Sequence, residues 1–168
     1  MRGGNWENVM SGENKVAVGE VAREVHIRPA EADDLAWIVK LDESATGQAK
    51  PRYWQNLYES FSLNRTGCRA FLVAEINGQV VGFISGEVRD FEFGAESCGW
   101  VFALTVDPAI RVNSIGTQLF DEICRIFADA GVRKVRTMIE HENQLVIAFF
   151  RSQGLMVGRF IGMEKDLD

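Results

Sequence analysis

Hydrophobic and polar positions change period several times along the 168 residues, and each change predicts an element. Val25-His26-Ile27-Arg28 alternates as a short strand does and stops at Pro29. Asp33-Asp34 opens a stretch in which Leu35, Ile38, Val39 and Leu41 share a helical face. Acidic residues in that first turn favour a helix start. Residues 45–50 read as a loop around Gly47, and Pro51 suits the first position of a second helix. Trp54, Leu57, Tyr58 and Phe61 follow at helical spacing, and Gly67 ends the region.

Three strands come next. Residues 70–76 lead into Asn77-Gly78, a strong hairpin signal, and residues 80–89 return. A second hairpin turns near Gly94, and residues 99–106 form an apolar, β-branched run that stops at Asp107-Pro108. Residues 115–130 predict an amphipathic helix with Leu119, Phe120, Ile123, Ile126 and Phe127 inward and Gly131 beyond its end. Residues 134–139 read as a strand and residues 143–153 as a short helix closed by Gly154. Residues 155–167 alternate well enough for one or two closing strands. The order is β-α-α-β-β-β-α-β-α-β(β), an α+β domain with a mixed sheet. An antiparallel meander is followed by a crossover that places two strands parallel. Residues 24–168 make one domain, and residues 1–23, rich in Gly, Asn and Glu at the start, read as a weakly ordered extension without a secretory signal.

Composition narrows the function classes. The net charge of −6 lacks the basic footprint of a nucleic-acid binder, and no stretch approaches the roughly 20 apolar residues of a membrane helix. Three cysteines without C-x-x-C spacing and two histidines argue against a disulfide framework or a metal centre. A reducing, cytoplasmic location is the expectation. An acidic protein also suits a cationic partner.

The densest chemistry lies in residues 104–117, Leu-Thr-Val-Asp-Pro-Ala-Ile-Arg-Val-Asn-Ser-Ile-Gly-Thr. Strand, small-residue loop and helix start together aim several backbone N–H groups at one point, where the helix dipole adds positive charge. Such a point holds phosphate. The same loop would also serve as a plain connection in an α/β domain.

The spacing V-x-P-x-x-R-x-x-S-x-G, from Val106 to Gly116, resembles the acetyl-coenzyme A motif of the GNAT N-acetyltransferases, R/Q-x-x-G-x-G/A. A second block, Asn143-Gln-Leu-Val146-Ile-Ala-Phe149-Phe150-Arg-Ser-Gln-Gly154-Leu155, resembles the family's N-x-x-A-x-x-x-Y-x-x-x-G-F. The element order is the family's over residues 25–167. The resemblance implies a GNAT fold, with the acetyl-coenzyme A loop after the fourth strand. It also implies that Leu104 and Val106 contact pantetheine. Arg111 takes the family's Gln/Arg position, and the amides of Val112, Asn113, Ser114, Ile115, Gly116 and Thr117 hold the pyrophosphate. Asn143 matches an Asn that contacts coenzyme A, while an N-cap explains it equally well. Ser114 replaces the first glycine of the pattern.

The activity so implied is transfer of acetyl from acetyl-coenzyme A to a primary amine, small molecule or peptide, by direct attack and without metal. The family often forms homodimers. Its usual proton donor, a Tyr, is here Phe150, which has no proton to give. A Glu used as base in the ribosomal-protein alanine branch is here Met138. Glu140, two residues on and so on the same strand face, is the candidate base, although residues 140–142 also read as a polar strand exit. Tyr53, Trp54 and Tyr58 would face the acceptor in this family, or serve as core aromatics. The rim Asp90, Glu92 and Glu96, interleaved with Phe91 and Phe93, suits a cationic amine by charge and cation–π attraction, or is a solvated hairpin tip. Phe150, Ser114 and the unassigned base leave a second reading, a catalytically silent coenzyme A-binding or interaction module. No G-x-G-x-x-G or G-x-x-x-x-G-K-[ST] occurs to support a nucleotide-binding fold.

Overall fold

A computed structural model describes residues 24–63, 68–110 and 114–167. The extension at 1–23 and the loop residues Arg111, Val112 and Asn113 lie outside the described residues. Five strands make one sheet in sequential order: β1 (His26–Pro29), β2 (Arg69–Ile76), β3 (Gln79–Arg89), β4 (Cys98–Val106) and β5 (Val135–Arg136). The first four run antiparallel, and β5 joins β4 in parallel. Among the described residues, four α-helices cover the sheet: α1 (Leu35–Thr46), α2 (Pro51–Leu63), α3 (Ile115–Asp129) and α4 (Gln144–Ser152).

Both faces of the sheet are buried, so strand alternation sorts side chains into two cores. Ala70, Leu72, Ala74 and Ile76 of β2 pack with Leu119, Ile123 and Phe127 of α3 and Phe150 of α4. Phe71 and Val73 point the other way, to Ile38 and Leu41 of α1 and Trp54 of α2. Phe127 is fully buried, and its ring occupies the place where a Cβ on Gly99 of β4 would stand. That glycine lets α3 settle onto the sheet.

Local signals act as expected at several joints. Asn77 and Gly78 both adopt positive φ, 52° and 79°, in the β2–β3 turn. The acidic pair before α1 forms a 3-10 turn, Ala32–Asp34, instead of the helix itself. Asp34 accepts the Glu31 backbone N–H at 2.8 Å and two hydrogen bonds from Arg28, at 2.6 and 2.9 Å. Burial pushes this carboxyl upward, but the Arg28 and Glu31 hydrogen bonds outweigh it and hold the group below its ordinary range.

The strands expected after α3 need correction. The strand expected over residues 134–139 shrinks to Val135–Arg136. The closing strands expected over 155–167 do not form among the described residues, and Val157, Ile161, Met163 and Leu167 stand almost fully exposed. Alternation is a local signal, whereas a strand needs a neighbouring edge to bond. The two residues of β5 offer a very short one.

Candidate functional site

The sheet opens where β4 leaves β5. The parallel ladder holds only Gly99↔Val135 and Trp100↔Arg136. Directly beyond it β4 carries a bulge: Val101 pairs Gly86 and Ala103 pairs Ser85, leaving Phe102 as the extra residue. A bulge bends its strand. The backbone edge of 101–106 therefore has no strand partner on the β5 side among the described residues. A single side-chain link crosses there, Thr137 Oγ1 donating to the Val101 carbonyl at 3.1 Å.

A cavity of about 400 Å³ fills this opening, within the size range of small-ligand sites. It is lined by residues 101–105 of β4, by Thr137 and Met138, and by Val146 and Phe150 of α4. Asp42 and Thr46 of α1, Lys50 in the connecting loop, and Tyr53 and Trp54 of α2 also line it. Asp42 is buried and accepts a hydrogen bond from Trp54 Nε1 at 2.9 Å. The Lys50 ammonium lies 3.0 Å from its Oδ2. Tyr53 stands edge-on to Trp54, with ring centroids 4.9 Å apart.

The start of α3 lies next to this cleft, at the end of the loop that leaves β4. Gln118 N–H, bonded to the Ser114 carbonyl at 2.8 Å, is the first amide satisfied within the helix. The amides of Ile115, Gly116 and Thr117 precede it and have no helical partner. Ser114 caps the helix with φ 94° and ψ 0°, a left-handed conformation that suits the glycine it replaces in the motif. The Ile115 side chain is buried in the core, so its amide is held firmly. A Cβ on Gly116 would lie 3.2 Å from the Phe149 ring, which brings α3 and α4 close together. Gln153 ties the same two helices by donating to Thr117 Oγ1 at 3.1 Å. Asn143 caps α4, accepting the Val146 N–H at 3.2 Å.

The expected residues fall into two groups. Leu104, Tyr53 and Trp54 line the cavity together, as do Met138 and Phe150, which stand where the resemblance would place a Glu and a Tyr. Val106, Gly116 and Thr117 sit beyond it, on the path from β4 into α3. Glu140 is exposed and does not line the cavity, and the strand alternation used to place it ends at Arg136. Glu92 lies in the β3–β4 connection, bonded to Arg89 at 3.4 Å, and no residue of 90–96 lines the cavity. Tyr58 packs into the α1–α2 core. Phe150 is 5% exposed and packs edge-on against Phe120 and Phe149 while also fronting the cavity.

Asp42 and Lys50 were not among the expected site residues. One signal for Asp42 is present in the chain: it stands four residues after Ile38 and seven after Leu35, a charge in register with the buried face of α1. Lys50 carries no local signal.

Residues 33–155 match the model of the acetyltransferase (GNAT) family, and the chain belongs to that family. It is 31% identical over 87 residues to the mycothiol acetyltransferase of Amycolatopsis mediterranei, covering 50% of this chain and 29% of the relative. It is 32% identical over 87 residues to the L-2,4-diaminobutyric acid acetyltransferase of Nocardia farcinica, covering 49% of this chain and 44% of the relative. The chain thus spans less than half the length of these two relatives. Among solved structures, the aminoglycoside N-acetyltransferase AAC(6')-Iy in complex with CoA superposes with a TM-score of 0.74 at 17% identity, over 86% of this chain and 95% of the other. Glucosamine-6-phosphate N-acetyltransferase from Arabidopsis thaliana gives 0.67 at 20% identity, over 86% and 99%. These superpositions establish a shared fold.

Proposed function

We propose that this chain transfers the acetyl group of acetyl-coenzyme A to a primary amine by direct attack in a ternary complex. The observation that carries the reading is that the opened β4 edge leads to the N-terminus of α3, whose first amides have no acceptor within the helix itself. A slender chain ending in a diphosphate fits that shape, its phosphates on the amides and its thioester arm along β4. Arg111 and the amides of 112–117 are assigned to the diphosphate, Leu104 and Val106 to the pantetheine arm, and Asn143 to the same ligand beside its capping role. The relatives and neighbours named above are acetyltransferases, three of them named for amine-bearing small molecules, which supports an amine acceptor.

The amine lone pair attacks the thioester carbonyl carbon. A C–N bond forms and the C–S bond breaks; the nitrogen releases one proton and the departing sulfur takes one up. A thiol of pKa about 8.5 leaves readily enough to draw its proton from water, so Phe150 in place of a tyrosine does not stop the reaction. Backbone N–H groups on the opened edge of β4 are suited to the developing oxyanion. Glu140, exposed and outside the cavity, would act as base only through water. Three free cysteines support a reducing, cytoplasmic setting.

Phe150 and the remote Glu140 also favour a second reading, a coenzyme A-binding module without turnover. Calorimetric titration with acetyl-coenzyme A, followed by a thiol-release assay over a panel of amines, separates the two. Binding with turnover is expected. Binding without turnover over the panel supports the silent module, and no binding at millimolar ligand overturns both. Gly116→Glu should abolish binding, because its side chain crowds Phe149 and puts a carboxylate at the diphosphate; retained affinity would contradict the site.

A further inference from the structure

The charge complement of the cavity points to a narrower class of acceptor. Among its lining residues only Asp42 and Lys50 carry charge, and they form a contact pair. The remaining polar groups are mostly committed. Thr46 Oγ1 donates to the Asp42 carbonyl at 2.9 Å, Thr137 Oγ1 to the Val101 carbonyl at 3.1 Å, and the Trp54 indole to Asp42 Oδ2 at 2.9 Å. The Tyr53 and Thr105 hydroxyls also line the cavity and are neutral, so charged capacity for a ligand rests on the Asp42 carboxylate and the Lys50 ammonium alone. Lys50 is the outer partner, its side chain 36% exposed against 7% for Asp42.

We infer that the acceptor is a small aliphatic amine that also bears a carboxylate, an amino-acid-like zwitterion inserted between Asp42 and Lys50. Its amine donates to Asp42, in either protonation state, and its carboxylate takes over the Lys50 ammonium. While the amine is protonated, as on binding, both protein charges keep an opposite partner. A diamine or polyamine brings no carboxylate to satisfy Lys50 and would compete with it for Asp42. Desolvating an unmatched charge is costly, whereas a matched exchange is close to neutral. The apolar side chains of Val101, Val146 and Phe150 leave room for the aliphatic chain between the charged ends. An ion pair buried only to brace α1 against α2 would contribute little to stability; one that fronts a cavity is placed to exchange partners.

This inference rests on the amine-acetylation reading, and matched acceptors separate their failures. Thiol release is followed with 2,4-diaminobutyrate against 1,3-diaminopropane, and with lysine against cadaverine, each pair differing by the carboxylate. For the wild-type chain, kcat/KM is expected to be about tenfold or more higher for the amino acid, the scale of a charge-assisted hydrogen bond. Lys50→Met should erase or reverse that preference, Lys50→Arg should restore most of it, and Asp42→Asn should lower both acceptors while still accepting from Trp54. A bracing role alone would scale both acceptors together. Equal use of the two acceptors by the wild type, or equal loss in Lys50→Met, overturns the inference. Should Lys50→Met fail to fold, Lys50→Gln takes its place. If acetyl-coenzyme A does not bind, the acetylation reading fails by itself. Calorimetry of the amino acids and diamines on the chain alone then decides: binding that needs both the carboxylate and Lys50 upholds the class, and its absence overturns it.

Discussion

Ser114 holds φ 94° at the start of α3, where a Cβ crowds the backbone and glycine does not. The strain is of order 1 kcal/mol. Ser114→Gly should therefore raise Tm by roughly 2–4 °C and leave acetyl-coenzyme A affinity unchanged or improved, read by thermal shift with and without ligand. Asp34 makes a second prediction at this scale. Its carboxyl is held below the ordinary range in the folded chain, after Arg28 and Glu31 overcome the opposing effect of burial. The ionised form is thus favoured by folding. Its contribution is complete above the unfolded value of about 3.9 and is lost as pH falls through the lowered folded value. Tm measured against pH should show wild type well above Asp34→Asn near pH 7, with the gap closing in acid.

At the scale of elements, α4 separates a structural from a ligand-binding use of one residue. Asn143 accepts the Val146 N–H at 3.2 Å, a cap worth about 1 kcal/mol. Asn143→Ala should lose that stability. Asn143→Asp keeps the cap and places a negative charge at the start of the helix, where the dipole favours it, yet the charge opposes a phosphorylated ligand. Its Tm should match wild type while acetyl-coenzyme A affinity falls, measured by calorimetry. Equal affinity would confine Asn143 to capping. The β4 bulge at Phe102 works at this scale too. It turns an ordinary edge-to-edge pairing into a cleft, so the ladder to β5 ends after two residues.

The whole molecule depends on how α3 is seated against the sheet. Phe127 is fully buried against Gly99 and Gly86, where both strands lack a side chain. Phe127→Ala should cost about 3–5 kcal/mol by leaving a cavity that the sheet cannot close, out of a total near 5–15 kcal/mol for a typical domain. Urea denaturation should show a much lower midpoint. Since α3 also presents the amides assigned to the diphosphate, affinity for acetyl-coenzyme A should weaken in parallel.

The chain alone determined the parts that depend on near neighbours. Helical periodicity in 115–130, the Asn77-Gly78 turn and the Asn143 cap are all written in residues a few positions apart, where propensity and capping act. The same locality explains what misled: alternation in 155–167 is real, but no long edge meets it, and alternation beyond Arg136 placed Glu140 on a strand that had already ended. Only the tertiary structure decided where β4 parts from β5, that Glu92 and Glu140 stand outside the cavity, and that Asp42 and Lys50 meet within it. The pair lies eight residues apart across a helix end and a loop, so its 3.0 Å contact depends on how α1 and α2 fold together on the sheet. Burial and opposed charge arise between segments, and no single segment encodes them.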